Sequence, residues 1–151
     1  MENVEKKNYI DYTNTKYFLL LEKLKTILYE DSKKEYVLFE RYYLSSLAHA
    51  YAISIINNDK NIYKSVINWY NDSIGKDIIK PDAYIFLDIP IEKAIDRINK
   101  RNESIVNNIW IEKRYMQLCE EYKISFIQEF EKDVKVYKVD ASKEINRVYK
   151  D

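Results

Sequence analysis

Two short apolar runs, set far apart among amphipathic segments, constrain the fold of this chain most. Residues 36–39 read YVLF and residues 83–87 read AYIFL, and charged or turn-forming residues flank each run. Continuous apolar runs of this length are typical of strands that are buried on both faces of a sheet. A third run, at residues 134–139, contains lysines and predicts an edge strand. Because helical segments separate all three, the sequence predicts an α/β fold with a parallel sheet.

The segments between these runs repeat apolar residues every three or four positions, as amphipathic helices do. A stripe of isoleucine and alanine after Pro90 predicts a helix that runs into a basic stretch at residues 97–101. Ser142 can cap a last short helix. The remaining helices are predicted at residues 14–31, 44–56, 62–71 and 109–130.

Length and composition limit the class of protein. A chain of 151 residues that is 46% hydrophobic suits one domain with a real core, so we assign residues 14–151 to a single domain and residues 1–13 to an N-terminal extension. Lysine plus arginine and aspartate plus glutamate both number 25, so no global field recruits nucleic acid or an anionic membrane. No signal peptide is recognisable, and no stretch approaches the roughly 20 apolar residues that span a bilayer. We therefore expect a cytoplasmic protein without membrane or nucleic-acid partners.

Charged side chains follow each predicted strand. Glu40 and Arg41 come after the first, Asp88 ends the second and Asp140 ends the third. Parallel sheets bind ligands at the carboxyl ends of their strands. A carboxylate beside an arginine can hold a metal or activate a hydroxyl while the guanidinium binds an anionic oxygen. On these residues alone, an ion pair that closes the strand explains Glu40 and Arg41 equally well.

Three segments, in this order, resemble the thymidylate kinase family. ERYYLSSLAHA at residues 40–50 resembles a segment in which Asp-Arg-Tyr follows a strand and Ser-Ser-x-Ala-Tyr-Gln begins a helix. IKPDAYIFLDIPIEKAIDRINKR at residues 79–101 looks like the family's Lys-Pro-Asp, strand and helix that lead into its phosphate-covering lid. VDASKEINRV at residues 139–148 looks like its closing strand and Asp-Ala-Ser loop. The resemblance implies a three-layer, P-loop kinase-like fold, and the transfer of a phosphoryl group from ATP to dTMP.

The resemblance assigns the acceptor nucleotide to the segment after the first predicted strand. Glu40 stands where the family has a carboxylate near Mg²⁺ and the acceptor, and Arg41 is implied to bind the 5′-phosphate. Ser45 and Ser46 are implied to lie close to the sugar and base. His49 occupies the place of a tyrosine that packs against the deoxyribose.

The donor side is implied in the second half of the chain. Arg97 and Arg101 are implied to approach the transferring phosphoryl group from the lid, and the loop of Asp140, Ala141 and Ser142 to border the adenine. This agrees with the chemistry, because phosphoryl transfer needs positioning and positive charge more than a covalent nucleophile. ATP and Mg²⁺ are the implied co-substrate and cofactor. The family also implies a homodimer through the helix at residues 14–31, although packing of that helix against the sheet explains its apolar face equally well.

Some residues depart from the family's pattern. Glu40 replaces aspartate, His49 replaces tyrosine, and Ala50 stands where bacterial members often carry glutamine. Thymine specificity is therefore open, and deoxynucleosides are an alternative substrate class because the Glu-Arg pair also resembles the deoxynucleoside kinases. The first helix lacks the arginine that the family directs at the acceptor phosphate, and Lys16 or Lys23 are the candidates to replace it.

The largest departure concerns the phosphate loop G-x-x-x-x-G-K-[ST], which does not occur in the 151 residues. The single Gly-Lys pair, Gly75 and Lys76, precedes Asp77 and is predicted to end a helix. In the family, the same segment supplies a central strand between the strands predicted here at residues 36–39 and 84–87. We therefore expect a truncated kinase, inactive alone, whose remaining strands must pair in another way, borrow the missing strand from a partner chain or a second copy, or be unstable. The alternative is a non-catalytic module of the same fold that binds a nucleotide or a partner, so the assignment as an enzyme is left open.

Overall fold

The computed structural model describes the backbone of residues 2–100 and 112–143, and the side chains from residue 14 onwards in these ranges. The chain divides into two compact units, Met1–Lys80 and Pro81–Asp151. The assignment of residues 14–151 to one domain stays a prediction. Within the described ranges, no helix combines the length and the apolar composition that crossing a bilayer requires.

Helices build the first unit. They are α1 (Glu2–Ser32), α2 (Tyr43–Ile56) and α3 (Lys60–Trp69), and a π-helical turn at Tyr70–Ile74 follows. The predicted start of the first helix at residue 14 is wrong: no proline or glycine interrupts residues 2–13, so helix formation extends to Glu2. At α3, Asp59 caps the helix by accepting a hydrogen bond from the N–H of Asn61 at 3.0 Å.

The core of the first unit centres on α2. Leu47 of α2, Leu19 of α1 and Val66 of α3 are all fully buried. The buried ring of Tyr43 stacks on that of Tyr70 with the ring centroids 5.8 Å apart. Each such buried apolar side chain contributes about 1.5–3 kcal/mol to folding, so this helical group closes a core of its own.

The predicted strand at residues 36–39 is not formed. No described residue makes a ladder with this segment, and the side chains of Tyr36 and Leu38 are 84% and 85% exposed. Only Phe39 is half-buried, because its ring stacks on Tyr42 at 4.6 Å. An extended segment needs neighbouring strands to satisfy its backbone N–H and C=O groups, so apolar composition alone does not make it a strand.

The described residues of the second half form, in chain order, a strand, two helices and a second strand. Its elements are β1 (Ala83–Asp88), α4 (Ile91–Lys100), α5 (Lys113–Phe130) and β2 (Lys135–Asp140). β1 and β2 pair in parallel, from Ala83 with Lys135 to Asp88 with Asp140. These elements confirm the α/β class with a parallel sheet. Arg101 and the last helix predicted after Ser142 lie outside the described residues.

One face of this sheet is apolar and exposed. Ile85 and Leu87 of β1 are 58% and 67% exposed, and Tyr137, the register partner of Ile85, is 52% exposed. Alternate residues of a strand lie on the same face, so these three side chains form one surface. Parallel strands are normally covered on both faces, and this face of the described sheet is not.

Gly75 ends the π-helical turn, as its predicted capping position requires. Its N–H donates to the carbonyl of Tyr70 at 2.7 Å, but its φ of −60° is right-handed and not the left-handed conformation expected of a glycine cap. A Cβ at this position would lie 3.0 Å from Cε1 of Tyr70. The closeness of this ring, and not backbone freedom, accounts for the glycine.

Candidate functional site

The loop between α1 and α2 contains the predicted acceptor residues Glu40 and Arg41, and both side chains are exposed. Arg41 has a φ of 50°, in the left-handed region that residues with side chains rarely adopt. Such a conformation costs on the order of 1–3 kcal/mol, and it is concentrated at ligand-binding sites. Lys33 and Asn58 share this conformation, with φ of 52° each, and Arg41 is the one of the three that the sequence pattern assigns to a ligand.

The start of α2 lies directly beyond Arg41. The backbone of Tyr42 is extended there, and its side chain does not cap the helix. The N–H of Ser45 donates to the carbonyl of Tyr42 at 2.8 Å, and Ser45 and Ser46 are half-buried in the first turn. Helix N-termini attract anions through their N–H groups and dipole. A guanidinium beside a helix start is an arrangement that can bind a phosphate group.

The polar face of α2 continues to His49. Ser45, Ser46 and His49 are spaced by three and four residues, which places them on one side of the helix, and all three are half-buried. The structure therefore brings together, on the loop and first turns of α2, the residues predicted to bind the acceptor.

Tyr42 anchors this loop on the core. Its hydroxyl lies 2.5 Å from the hydroxyl of Thr26 on α1, and its ring also packs edge-on against Tyr43 at 4.9 Å. Burial raises the pKa of Tyr42, so the hydroxyl stays protonated at neutral pH and can keep its hydrogen bond. Arg41 is thus exposed but directly precedes a buried, hydrogen-bonded residue.

The two lysines proposed to replace the family's arginine on the first helix already have contacts. Lys23 Nζ lies 2.6 Å from Oδ2 of Asp77. Lys16 Nζ lies 5.2 Å from the ring centroid of Trp69, within the range of a cation–π interaction. Each contact can serve the packing of the first unit. The role of either lysine in binding a phosphate stays a prediction.

The second unit has a cavity at the carboxyl ends of its two strands. Its volume is about 420 Å³. The N–H of Ala141 donates to the carbonyl of Asp88 at 2.8 Å, which joins the two strand ends. Sequence reasoning found three of the lining residues and missed Glu120, because only the folding of α5 brings it there. The lining consists of Asp88, Ile89, Pro90, Ile91, Glu120, Asp140 and Ser142.

The loop after β2 is held by its own side chains and by α4. Asp140 Oδ1 accepts a hydrogen bond from the N–H of Ser142 at 2.9 Å. Hydrogen bonds from the Ser142 side chain and backbone lower the pKa of Asp140, so this carboxylate is ionised at neutral pH. The guanidinium of Arg97 donates to the carbonyls of Ala141 and Lys143, each at 2.8 Å.

Arg97 and the Asp140-Ala141-Ser142 loop were predicted separately, and the structure brings them together. Lys93, one turn before Arg97, donates to the carbonyl of Ser142 at 3.4 Å. Sequence reasoning missed Lys93, although its spacing of four residues from Arg97 on a helix is a signal that it could have used. The predicted contact of Arg97 with a phosphoryl group stays a prediction.

Within residues 14–100 and 112–143, whose side chains the structure describes, no group of three or more histidine, cysteine, aspartate or glutamate side chains could hold a metal ion. Glu40 remains the predicted neighbour of Mg²⁺. Such a metal would take other ligands from phosphate oxygens and water, as Mg²⁺ commonly does.

Known proteins supply an independent comparison. A family model described as thymidylate kinase matches residues 3–151. The chain belongs to the thymidylate kinase family. A relative from Saccharolobus solfataricus, named "Probable thymidylate kinase 1", is 34% identical over 116 residues, which cover 74% of this chain and 49% of the relative. The chain thus spans about half the length of the curated relative that it matches.

A solved structure shares the fold of this member of the thymidylate kinase family. It is the deoxyadenosine kinase from M. mycoides with bound dCTP, and it superposes with a TM-score of 0.67 over 97% of this chain and 75% of that chain. At 19% sequence identity, the likeness shows the fold alone. It confirms the predicted P-loop kinase-like α/β fold.

Proposed function

We propose that this chain carries the acceptor-binding part of a nucleotide phosphotransferase that converts dTMP and ATP to dTDP and ADP. Family membership supports the class of reaction. The observation that carries the proposal is Arg41, an exposed guanidinium held in a left-handed conformation at the start of α2. Because the chain spans about half of its relative, the reaction is a proposal for the complete enzyme.

The residues at the start of α2 have distinct roles in this proposal. The Arg41 guanidinium forms paired hydrogen bonds with the 5′-phosphate, and the positive end of the α2 dipole adds to the attraction. Ser45 and Ser46 hydrogen-bond the sugar and base, and His49 packs against the deoxyribose. Glu40 lies near the phosphate acceptor and near Mg²⁺, which would neutralise charge on the transferring phosphoryl group.

The 151 residues tested alone are proposed to transfer no phosphoryl group. Their sequence contains no G-x-x-x-x-G-K-[ST], the loop whose N–H groups and lysine hold the donor phosphates. By itself, the chain is therefore proposed to hold the proposed cofactor Mg²⁺ and the phosphates of the co-substrate ATP weakly or not at all, so any remaining ATP affinity would come from the adenosine part.

A strand supplied in trans forms part of the proposal. β1 contains no charged residue between Ala83 and Leu87, whereas β2 carries Lys135 and Lys138. Charged residues are typical of exposed edge strands, and their absence is typical of inner strands. We propose that a partner chain or a second copy pairs with the open edge of β1.

The exposed face of α1 suits a homodimer. Its apolar residues recur at three- and four-residue spacings, and each is at least 45% exposed. Large apolar surfaces of this kind are typical of protein interfaces. The residues of this α1 face are Tyr17, Leu20, Leu24, Ile27 and Leu28.

A deoxynucleoside acceptor is the second candidate, favoured by Glu40 in place of the family's aspartate. Such a substrate has no 5′-phosphate, so its binding would not depend on the charge of Arg41. The other alternative is a non-catalytic module. A mixture of the chain with a separate segment that contains the P-loop distinguishes it, because a non-catalytic module would not produce kinase activity in that mixture.

Calorimetric titration of the pure chain with dTMP, deoxyadenosine and ATP·Mg²⁺ tests the proposal. Arg41→Ala should weaken dTMP binding by about 10-fold or more, since hydrogen bonds to charged groups contribute about 1.5–3 kcal/mol. Lys64→Ala is the matched control, because it removes an exposed positive charge from α3 in the same unit.

Three results would contradict the proposal or a part of it. Equal dTMP affinity in the Arg41→Ala and Lys64→Ala chains would show that the acceptor site does not lie at the start of α2. Tight deoxyadenosine binding that ignores Arg41, without dTMP binding, would favour the deoxynucleoside class. ATP-dependent conversion of dTMP by the pure chain would contradict the proposed inactivity.

A further inference from the structure

We propose that Arg97 is a positioning residue that shapes residues 140–143, here called the clamp loop, for the base of a bound adenine nucleotide. In this inference Arg97 acts through the loop and does not touch a phosphoryl group. The inference rests on the proposed function, because it concerns the donor side of the same enzyme.

The contacts of Arg97 are directed at the backbone of the clamp loop. Nη1 donates to the carbonyl of Ala141 at 2.8 Å, and Nη2 donates to the carbonyl of Lys143 at 2.8 Å. The planar guanidinium fork bridges two carbonyls that are two residues apart, which the single ammonium of a lysine does less well. The half-buried Arg97 side chain therefore fixes the course of the chain after β2.

Other groups hold the same loop. Lys93 donates to the carbonyl of Ser142 at 3.4 Å, one turn before Arg97 on α4. The N–H of Ala141 donates to the carbonyl of Asp88 at 2.8 Å, and that of Ser142 to Asp140 at 2.9 Å. Side chains of α4 thus bind the loop's carbonyls, while the sheet end and Asp140 bind its N–H groups.

The charge of the adjoining cavity indicates which part of a nucleotide this loop meets. The cavity of about 420 Å³ is lined by three carboxylates, those of Asp88, Glu120 and Asp140, and by Ser142 of the clamp loop. Lys93 and Arg97 beside the cavity already donate to carbonyls of the clamp loop, so the lining itself presents carboxylates, which repel phosphate and accept hydrogen bonds from an amino group on a base. The loop that Arg97 holds therefore faces a base and not the phosphates.

Titration of the full chain with adenosine, ATP and inorganic tripolyphosphate separates the two parts of the donor. Arg97→Ala should lower the affinities for adenosine and for ATP by the same factor, about 10-fold if one charge-assisted contact is lost. The affinity for tripolyphosphate should not change. The adenosine affinity of Arg97→Lys should lie between that of Arg97→Ala and that of the wild type, because lysine keeps the charge but can donate to one of the two carbonyls. Guanidinium ion should restore adenosine affinity to the Arg97→Ala chain.

Lys100→Ala is the control. Lys100 lies on the same helix and its side chain is 73% exposed. Its Nζ lies 2.7 Å from Oδ2 of Asp96, a residue of α4 that is not part of the clamp loop. This variant removes the same charge and should bind adenosine like the wild type. If Arg97→Ala fails to fold by circular dichroism, the comparison of Arg97→Lys with Lys100→Ala carries the test.

Three other outcomes would overturn the inference. Loss of ATP affinity with adenosine affinity unchanged would show that Arg97 contacts phosphate. Unchanged adenosine affinity in both Arg97 variants would show that the clamp loop does not meet the base. A wild-type chain that binds dTMP through Arg41 but not adenosine would overturn this inference alone, whereas binding of neither would overturn the proposed function as well.

Discussion

The two units of this chain differ in which of their elements are buried. In the first unit each of the three helices contributes a fully buried residue, namely Leu19, Leu47 and Val66, whereas in the second the buried residues lie mainly on α5, α4 has none, and Ile85 and Leu87 of β1 are more than half exposed. A helix satisfies its backbone hydrogen bonds internally, so a few helices can close a core together. A strand depends on neighbours on its edges and faces, so a two-stranded sheet remains incomplete.

The same difference separates the two candidate sites. The acceptor residues follow Tyr42, which the helical core anchors through Thr26. The clamp loop depends instead on two cations of α4, Lys93 and Arg97, because the sheet beneath it is narrow. Effects of mutation on stability should therefore be large in the first unit and small on the open sheet face of the second.

Truncation of one leucine in each unit gives the largest expected contrast. Leu47→Ala, at a fully buried position, should lower the free energy of unfolding by about 2–5 kcal/mol, while Leu87→Ala, at a 67% exposed one, should cost less than about 0.5 kcal/mol. Urea denaturation followed by circular dichroism measures both. Equal costs would mean that the sheet face is covered in solution, and the contrast between the units would be wrong.

Gly75→Ala tests how tightly the first unit is packed around Tyr70. The added methyl lies 3.0 Å from the Tyr70 ring, which is 3% exposed and cannot move freely, so we expect a loss of about 1–2 kcal/mol, as in other overpacked cores. Thermal denaturation compares it with Ser73→Ala, an exposed substitution in the same turn that should have little effect. A Gly75→Ala chain that is more stable than the wild type would show that the Tyr70 ring can move to make room for the methyl group.

The buried carboxyl of Glu22 should make the first unit sensitive to pH. Burial raises the pKa of Glu22, although Lys25 Nζ donates to its Oε1 at 3.0 Å and also lies 2.8 Å from its Oε2, an ion-pair contact that is not a hydrogen bond. An acid whose pKa is raised in the folded state loses stability as the pH rises from its unfolded pKa through its folded pKa. Glu22→Gln should remove this loss and stabilise the chain by about 1 kcal/mol at neutral pH.

Unfolding free energies of both chains, measured from acidic to neutral pH, check this prediction. The gain from Glu22→Gln should disappear at acidic pH, where Glu22 is protonated in both states. A gain that does not change with pH would assign the effect to packing instead of charge.

The exposed ion pair of Lys23 and Asp77 should have the smallest effect. Their side chains are 33% and 52% exposed, and exposed pairs contribute about 0.2–1 kcal/mol. A double-mutant cycle with Lys23→Met and Asp77→Asn at low and high salt measures the coupling. A coupling above this range that persists in salt would mean that polar contacts, and not the apolar core, distinguish the first unit.

Much of the architecture could be predicted from residue patterns. The apolar run at Ala83–Asp88 and the lysine-spaced run at Lys135–Asp140 became paired strands, and α2 agrees with its prediction to one residue. The run at residues 36–39 is apolar and aromatic like β1, but no described residue pairs with it as a strand, so its pattern predicted a structure that it does not form. Local pattern reports the burial that a segment favours, whereas strand formation depends on what lies beside it.

The candidate site shows the same division. The sequence alone determined the helices, the residues that gather at strand and helix ends, and the family to which Arg41 and the Asp140-Ala141-Ser142 loop point. Only the tertiary structure placed Arg41 in a left-handed conformation, brought Glu120 to the cavity, and directed Arg97 at two carbonyls of the clamp loop. Residue type and spacing set which element forms, but the partner of a long, flexible side chain is decided by the neighbours that distant parts of the chain bring within its reach.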